Sequence, residues 1–341
     1  MKDVKVVQVG LGYVAQAEWL PFVPRLPGIK LVAVVDQIKD RASYIGNKIN
    51  VDHFTNLEEC LSKHDVDAVF ITTPTTSHSE LIITAANHGK HVLVEKPLSE
   101  YIPDAKKCVE ISRKTGIKLM VGYMRNYDSD CLKVKELIKN NEIGQINTAI
   151  SWVNHTYPSV YTPFIPPKDR GQPLGTAARR TAVRRIWGMT IHHINLLKFW
   201  LGEYGEVLFA KSNNGYAPFM TVFKIGDGIT ATHHTFDSSG QGEHLWLHGE
   251  KGNIATHLWS PHMPYEFPKT ILFKKNINAE CNLIFAHKNM YEEQIKHFIE
   301  CVQHDKEPRT TGEDSIKDLE FAKKIILKMG LKPPEKGKYE H

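Results

Sequence analysis

The segment Val6-Val-Gln-Val-Gly10-Leu-Gly12-Tyr13-Val14-Ala15 constrains this chain more than any other. A β-branched run, Val4 to Val9, ends in G-x-G-x-x-A and passes into a stretch with helical period. Gly10 permits the tight turn, Gly12 lets backbone approach a pyrophosphate, and Ala15 lets a helix pack closely on a sheet. Phosphates then meet backbone N–H groups at the positive end of the helix dipole. Two glycines in a turn are weak evidence alone. Here a second apolar run, Ile29 to Val35, ends in Asp36, close to the spacing expected of the acid that bonds the ribose hydroxyls. Gly10, Gly12, Tyr13, Val14, Ala15 and Asp36 are therefore the expected dinucleotide contacts. The Asp36 carboxylate repels a 2′-phosphate, which favours NAD. Lys39 and Arg41 follow closely and leave NADP open as an alternative.

The rest of the first third repeats the pattern. Strand-like runs at Asp67 to Thr72, His91 to Val94 and Lys118 to Gly122 alternate with helical stretches. The latter are Tyr13 to Arg25, Asp40 to Ile49, Leu57 to Ser62, His78 to His88 and Ile102 to Thr115. Such alternation predicts βαβ units and a doubly wound parallel sheet buried on both faces. Beyond a helix at Asp130 to Asn140 the texture changes to longer alternating runs: Thr148 to Val153, Val207 to Ser212, Met220 to Ile225, Ile229 to Thr235 and His244 to Leu247. Turn signals such as Gly226-Asp-Gly228 separate them. Helices at Asn289 to His304 and Asp314 to Lys328 follow. The expectation is an α/β protein with a Rossmann domain over residues 1–124, an α/β domain with a large, mostly antiparallel open sheet over 125–330, and a polar tail over 331–341.

Composition removes several function classes. A net charge of +5 over 341 residues is mild, and argues against nucleic acid as a partner. No apolar run has the length of a membrane span, and the start lacks a signal-peptide pattern, so a cytoplasmic location is expected. The five cysteines form no C-x-x-C pair and read as buried free thiols. The 18 histidines include His192-His193 and His233-His234, but neither pair has a metal-ligand spacing, and no metal is expected. Trp152, Trp187, Trp246 and Trp259 read as core or interface residues.

Two further blocks carry a resemblance. Thr72-Thr73-Pro74-Thr-Thr-Ser-His78 closes a strand and opens a helix, and Gly89-Lys-His-Val-Leu-Val-Glu95-Lys96-Pro97 contains G-K-H-V and E-K-P. With Gly122-Tyr-Met-Arg125-Asn-Tyr127, these resemble the glucose–fructose oxidoreductase / inositol dehydrogenase (Gfo/Idh/MocA) family of NAD(P)-dependent oxidoreductases. The likeness is strong to about residue 150 and looser after it. It implies hydride transfer at a secondary hydroxyl or ketone of a sugar, sugar derivative or cyclitol, and assembly through the large sheet into a homodimer or homotetramer. It also places Lys96 beside the nicotinamide and the reacting carbon, with Thr73, Pro74, His78, Glu95 and Pro97 lining that side. A lone lysine is ordinarily a solvated charge. Beside a reacting oxygen, an ammonium stabilises a developing alkoxide.

The resemblance also exposes a departure. Relatives usually carry D-x-G-x-H-x-I-D, with the His as acid/base. Here the segment reads Gly188-Met-Thr190-Ile-His192-His193-Ile-Asn195. His192 falls on the family His, but Gly188, Thr190 and Asn195 replace the Asp, the Gly and the last Asp. A carboxylate near a histidine raises its basicity and orients its ring, so the loss weakens His192 as a base unless another group serves. His193 is no simple substitute, since adjacent helical positions do not share a face. Upstream, Lys168, Arg170, Arg179, Arg180, Arg184 and Arg185 stand against Asp169 alone. Arginine suits carboxylate or phosphate, which points to an anionic substrate; the plainer reading is a solvated loop or subunit contact. Arg125, Arg179, Arg180, Arg184 and His193 are thus the candidate substrate contacts beside Lys96 and His192. Two alternatives to a dehydrogenase remain at this stage. One is an enzyme that recycles bound NAD while cleaving or epimerising a glycoside. The other is a non-catalytic dinucleotide sensor.

Overall fold

A computed structural model describes residues 2–154, 181–236, 242–258, 268–283 and 288–334. Among these residues two sheets form. The first contains β1 (Val4–Val9), β2 (Ile29–Val35), β3 (Asp52–Phe54), β4 (Ala68–Ile71), β5 (His91–Glu95) and β6 (Leu119–Gly122), in the order β3-β2-β1-β4-β5-β6. All its pairings are parallel. β1 and β4 are almost wholly buried because helices cover both faces, which explains why Lys5 and Gln8 are the only polar residues in the two strands. The order reverses between β1 and β4, and in such sheets ligands bind at that switch point, beyond the carboxyl ends of the strands.

The second sheet contains β7 (Ile146–Asn154), β8 (Tyr204–Asn213), β9 (Tyr216–Ile225), β10 (Ile229–Phe236), β11 (Gly242–Gly249), β12 (Gly252–Leu258), β13 (Lys269–Lys274) and β14 (Ala279–Leu283). Its order is β14-β13-β12-β11-β7-β10-β9-β8, antiparallel except where β7 meets β10. Side chains alternate strictly: Phe219, Thr221, Phe223 and Ile225 of β9 are buried, while Met220, Val222 and Lys224 are only half-buried. One face packs on the helices Ile191–Leu201 and Gly312–Lys328; the other carries exposed Phe209, Phe236 and Trp246.

The α/β class and both sheet types agree with the sequence. Four strands were not foreseen. β3 is three residues long, with Asp52 and His53 exposed, and β12, β13 and β14 carry Asn, His, Lys and Glu on their open faces, with Thr256 and Thr270 buried, which dilutes the apolar signal. The expected helix from Tyr13 to Arg25 is shorter, with a π-turn at Ala15–Trp19 followed by irregular turns. Met290–His304 packs not on the second sheet but on the first: Phe298 meets Phe70 edge-on with centroids 5.6 Å apart. Its N-cap Asn289 accepts from Tyr291 and Glu292 N–H groups, which fixes where the helix begins.

Candidate active site

The chain leaves β1 through Gly10, whose φ of +83° favours glycine. A Cβ there would stand 2.7 Å from the Thr73 backbone nitrogen, so this turn presses directly on the loop after β4. At Gly12, by contrast, an added Cβ would meet nothing within 4 Å. That open backbone lies at the start of a helix whose Ala15 is wholly buried, which fits the approach of a pyrophosphate. Asp36, at the end of β2, accepts from Leu11 N at 2.8 Å and from Ile38 N at 2.9 Å. Arg41 Nη1 lies 3.2 Å from the same carboxylate. The acid is therefore fixed beside the glycine turn with a guanidinium attached. The half-buried Tyr13 phenol is pushed up to about 12 by burial and by Glu18. Half-buried Val14 packs against the core beneath this turn. The groups present fit a dinucleotide.

The loops after β4 and β5 are tied together. Thr72 Oγ1 takes a hydrogen bond from Gln8 Nε2 at 2.7 Å and lies 2.7 Å from Gly10 O, which locks the first two turns. Ser77 donates to Thr73 Oγ1 at 2.8 Å, and Pro74 precedes the short 3₁₀ turn Thr75–Ser77. His78 is 1% exposed and spans Pro97 O (2.9 Å) and Thr73 O (3.0 Å). Burial pushes its pKa down to about 4, so at neutral pH one nitrogen donates at a time. Glu95 is buried; its Oε1 accepts from Trp19 Nε1 at 3.1 Å and its Oε2 from Lys96 N at 3.1 Å. Burial raises its pKa.

Lys96 projects away from this half. Its Nζ donates to Gly188 O at 2.6 Å. Gly188 belongs to the π-turn Ile186–Thr190 that leads into the helix Ile191–Leu201. Among the described residues, the π-turns Ala15–Trp19 and Ile186–Thr190 thus lie in the two segments that frame the site, and such turns recur at functional sites. Burial lowers the pKa of Lys96; Glu95 and then Glu243 oppose that shift. His192 is 5% exposed and its pKa is held well below 6.5, first by burial and then by Lys96. Its Nδ1 has no hydrogen-bond partner among the described residues. A neutral, buried imidazole beside an ammonium can accept a proton and has no resting charge to lose.

The adjacent His193 faces elsewhere, as helical geometry requires. Its Nε2 meets Glu243 Oε2 at 3.1 Å. Arg125, 1% exposed, donates from Nη2 to Glu243 Oε1 at 2.6 Å and lies 3.4 Å from Asp128 Oδ2. The guanidinium expected to contact substrate is therefore already engaged by two carboxylates. Arg184 is half exposed, 3.9 Å from Glu100. Lys168, Asp169, Arg170, Arg179, Arg180 and Trp259 lie outside the described residues. Thr190, in place of the family Gly, meets Thr235 Oγ1 at 3.0 Å and His233 Nε2 at 3.2 Å. Asn195 donates to Asp318 Oδ2 at 2.7 Å, and Lys198 and Tyr204 share that buried acid at 2.7 and 2.6 Å.

Sequence reasoning missed Glu243, Gln8, Trp19 and Asp318. For Glu243 a signal existed: it shares strand parity with Leu245 and Leu247, so a charge falls on the inward face. The others are ordinary polar residues whose partners come from distant strands and helices.

Comparison with known proteins agrees with this arrangement. Residues 4–123 match the model of an oxidoreductase family with an NAD-binding Rossmann fold. A scyllo-inositol 2-dehydrogenase (NAD(+)) of Bacillus subtilis is 29% identical over 93% of this chain and 92% of its own. A myo-inositol 2-dehydrogenase of Thermotoga maritima is 26% identical over 83% of this chain and 84% of its own. A crystal structure of a putative NADPH-dependent oxidoreductase from Desulfitobacterium hafniense superposes with a TM-score of 0.85 at 22% identity, covering 97% and 96% of the two chains. Among the described residues no helix is long and apolar enough to cross a membrane.

Proposed function

The chain belongs to the Gfo/Idh/MocA family of NAD(P)-dependent oxidoreductases, and from that premise we propose that it oxidises a secondary hydroxyl of a cyclitol or sugar, or reduces the matching ketone. The observation that carries this reading is the meeting of Lys96 with the His192 helix, at the carboxyl edge of the dinucleotide sheet. A bound nicotinamide supplies the hydride acceptor. The residues of the chain supply the rest. Gly10, Gly12, Tyr13, Val14, Ala15 and Asp36 hold the dinucleotide. The loops carrying Thr73, Pro74, His78, Glu95 and Pro97 shape its reactive end. The Lys96 ammonium stabilises the alkoxide that forms as the hydroxyl loses its proton. His192 takes that proton.

NAD is the expected partner because Asp36 stands at the ribose position, and Arg41 on the same carboxylate keeps NADP within reach. The relatives' names favour a cyclitol, and a neutral one agrees with a site whose described arginines are already paired. The domain division is placed near residue 124, with Met290–His304 returning to the first sheet. The exposed aromatic face of the second sheet is assigned to a second copy of the chain. The test is formation of NADH at 340 nm with a panel of inositols, neutral sugars, sugar acids and sugar phosphates, with product analysis of each reaction. Absorbance rising with a polyol supports the reading. Product without NADH points to internal recycling, and no product from any polyol contradicts the dehydrogenase.

A further inference from the structure

The carboxylate that position 188 lacks returns from a distant strand. Glu243 lies on β11, 3% exposed, with its two oxygens divided between Arg125 and His193. A charge so buried is costly unless paired and hydrogen-bonded. Here the pairing is a guanidinium at 2.6 Å, itself 3.4 Å from Asp128, with the His193 imidazole on the other oxygen. His193, the other partner, sits on the same helix as His192. The turn entering that helix is held from the opposite side by Lys96 on Gly188 O. The helix is thus gripped by a lysine from the dinucleotide sheet and by a glutamate from the open sheet.

We propose that Glu243 is the positioning carboxylate of this site: it fixes the helix that presents His192 and supplies the negative charge beside which Lys96 works. The inference rests on the dehydrogenase reading above. Four titratable groups face Lys96: Glu95 from its own strand, His78 from the helix His78–Asn87, His192, and Glu243. The histidines are held neutral by burial. Glu95 is drawn toward its protonated form by burial, whereas Glu243 is anchored by Arg125. The need for Glu243 follows from the chemistry. As the carbon–hydrogen bond gives its hydride to the nicotinamide, the oxygen–hydrogen bond gives its proton to His192 and the carbon–oxygen double bond forms. An imidazolium then stands beside an ammonium, and one fixed negative charge offsets their repulsion.

The test reads Lys96 directly and needs no substrate. Lysine labelled with ¹³C at Cε is titrated by NMR in the cofactor-free protein, with Lys96 assigned by K96R. Removing the charge in E243Q is expected to lower the Lys96 pKa by about one unit, a roughly tenfold loss of proton affinity. E243D, which draws the carboxylate back by one methylene, is expected to fall between. NADH affinity by fluorescence should stay within about twofold throughout, since the Rossmann turn is untouched. With a polyol that is turned over, kcat should fall about tenfold in E243Q while KM changes less than about threefold. An unshifted Lys96 titration in E243Q, or in E243D should E243Q not fold, overturns the proposal and leaves Glu243 a structural ion pair. Absence of any polyol oxidation by the wild type overturns the dehydrogenase reading instead, while the titration still decides the role of Glu243.

Discussion

The two halves of the site are built by different rules. In the dinucleotide half, the residues proposed to function are consecutive: Gly10 to Ala15 in one segment, and Glu95-Lys96-Pro97 in another. In the histidine half, it is carried by side chains that meet only after folding: His193 with Glu243, Arg125 with Glu243, Asn195 with Asp318. The first half depends on what the backbone can do. The second depends on what a buried charge requires. Substitutions should therefore behave differently in the two, and this difference can be tested.

The largest expected effect falls where the halves meet. Lys96→Ala should lower kcat by about 10³-fold, the scale of losing a group that stabilises a developing oxyanion. NADH affinity by fluorescence should change little. A joint loss of binding and turnover would place Lys96 in the cofactor site alone.

Next come the two glycines, two positions apart yet unequal. Gly10→Ala puts a Cβ 2.7 Å from the Thr73 backbone at a φ of +83°, and should cost about 2 kcal/mol of stability in urea unfolding. Gly12→Ala meets nothing in the protein, so its unfolding midpoint should stay near the wild type while NADH binding weakens about tenfold or more. Equal stability losses would erase the distinction between a packing glycine and a binding glycine.

The histidine half should be the more acid-sensitive one. His192 and His233 are buried there, with pKa values pushed below 6.5, against His78 alone in the dinucleotide half. Below about pH 6.5 the unfolded chain binds protons that the folded chain refuses, so stability falls as pH falls. Each such histidine costs about 2 kcal/mol at pH 5. Asp130 works the other way: burial pushes its carboxyl up to about 6, so the folded state binds the extra proton and gains stability as pH falls through 6. The net expectation is a falling Tm between pH 7 and 5, and His233→Gln should flatten that slope. A slope unchanged by the substitution would show that His233 protonates freely in the folded state.

The smallest effect concerns Asn195. It donates to a carboxylate already held by Lys198 and Tyr204. Restoring the family residue with Asn195→Asp would set two acids against each other and should cost about 1 kcal/mol, read from the Tm. An increase in stability would mean that Asp318 is protonated and can donate.

The same contrast explains what the sequence disclosed. β1 and β2 were legible to their end residues, because central strands covered by helices are mostly apolar and β-branched, with Lys5, Gln8 and Lys30 as the exceptions. Gly10 was readable as a turn glycine, and its φ of +83° agrees; Asp36 was proposed from its spacing across one βαβ unit and Lys96 from the E-K-P resemblance. Glu243 was not legible, because its partners lie 118 and 50 residues earlier in the chain. Its only trace was a charge at inward parity. The ion pairs of Arg125 with Asp128 and Glu243 were hidden for the same reason. β12 to β14 were lost because a sheet open on one face needs apolar residues at only half its positions.

The central claim is that a hydroxyl-bearing carbon gives its hydride to a nicotinamide held beside Lys96 and His192. A single turnover with a polyol deuterated at the reacting carbon tests this most directly, with the dinucleotide analysed by mass spectrometry. The account predicts deuterium at the nicotinamide ring of the reduced cofactor from the wild type and none from Lys96→Ala. Conversion of the polyol with no deuterium on the nicotinamide would contradict it.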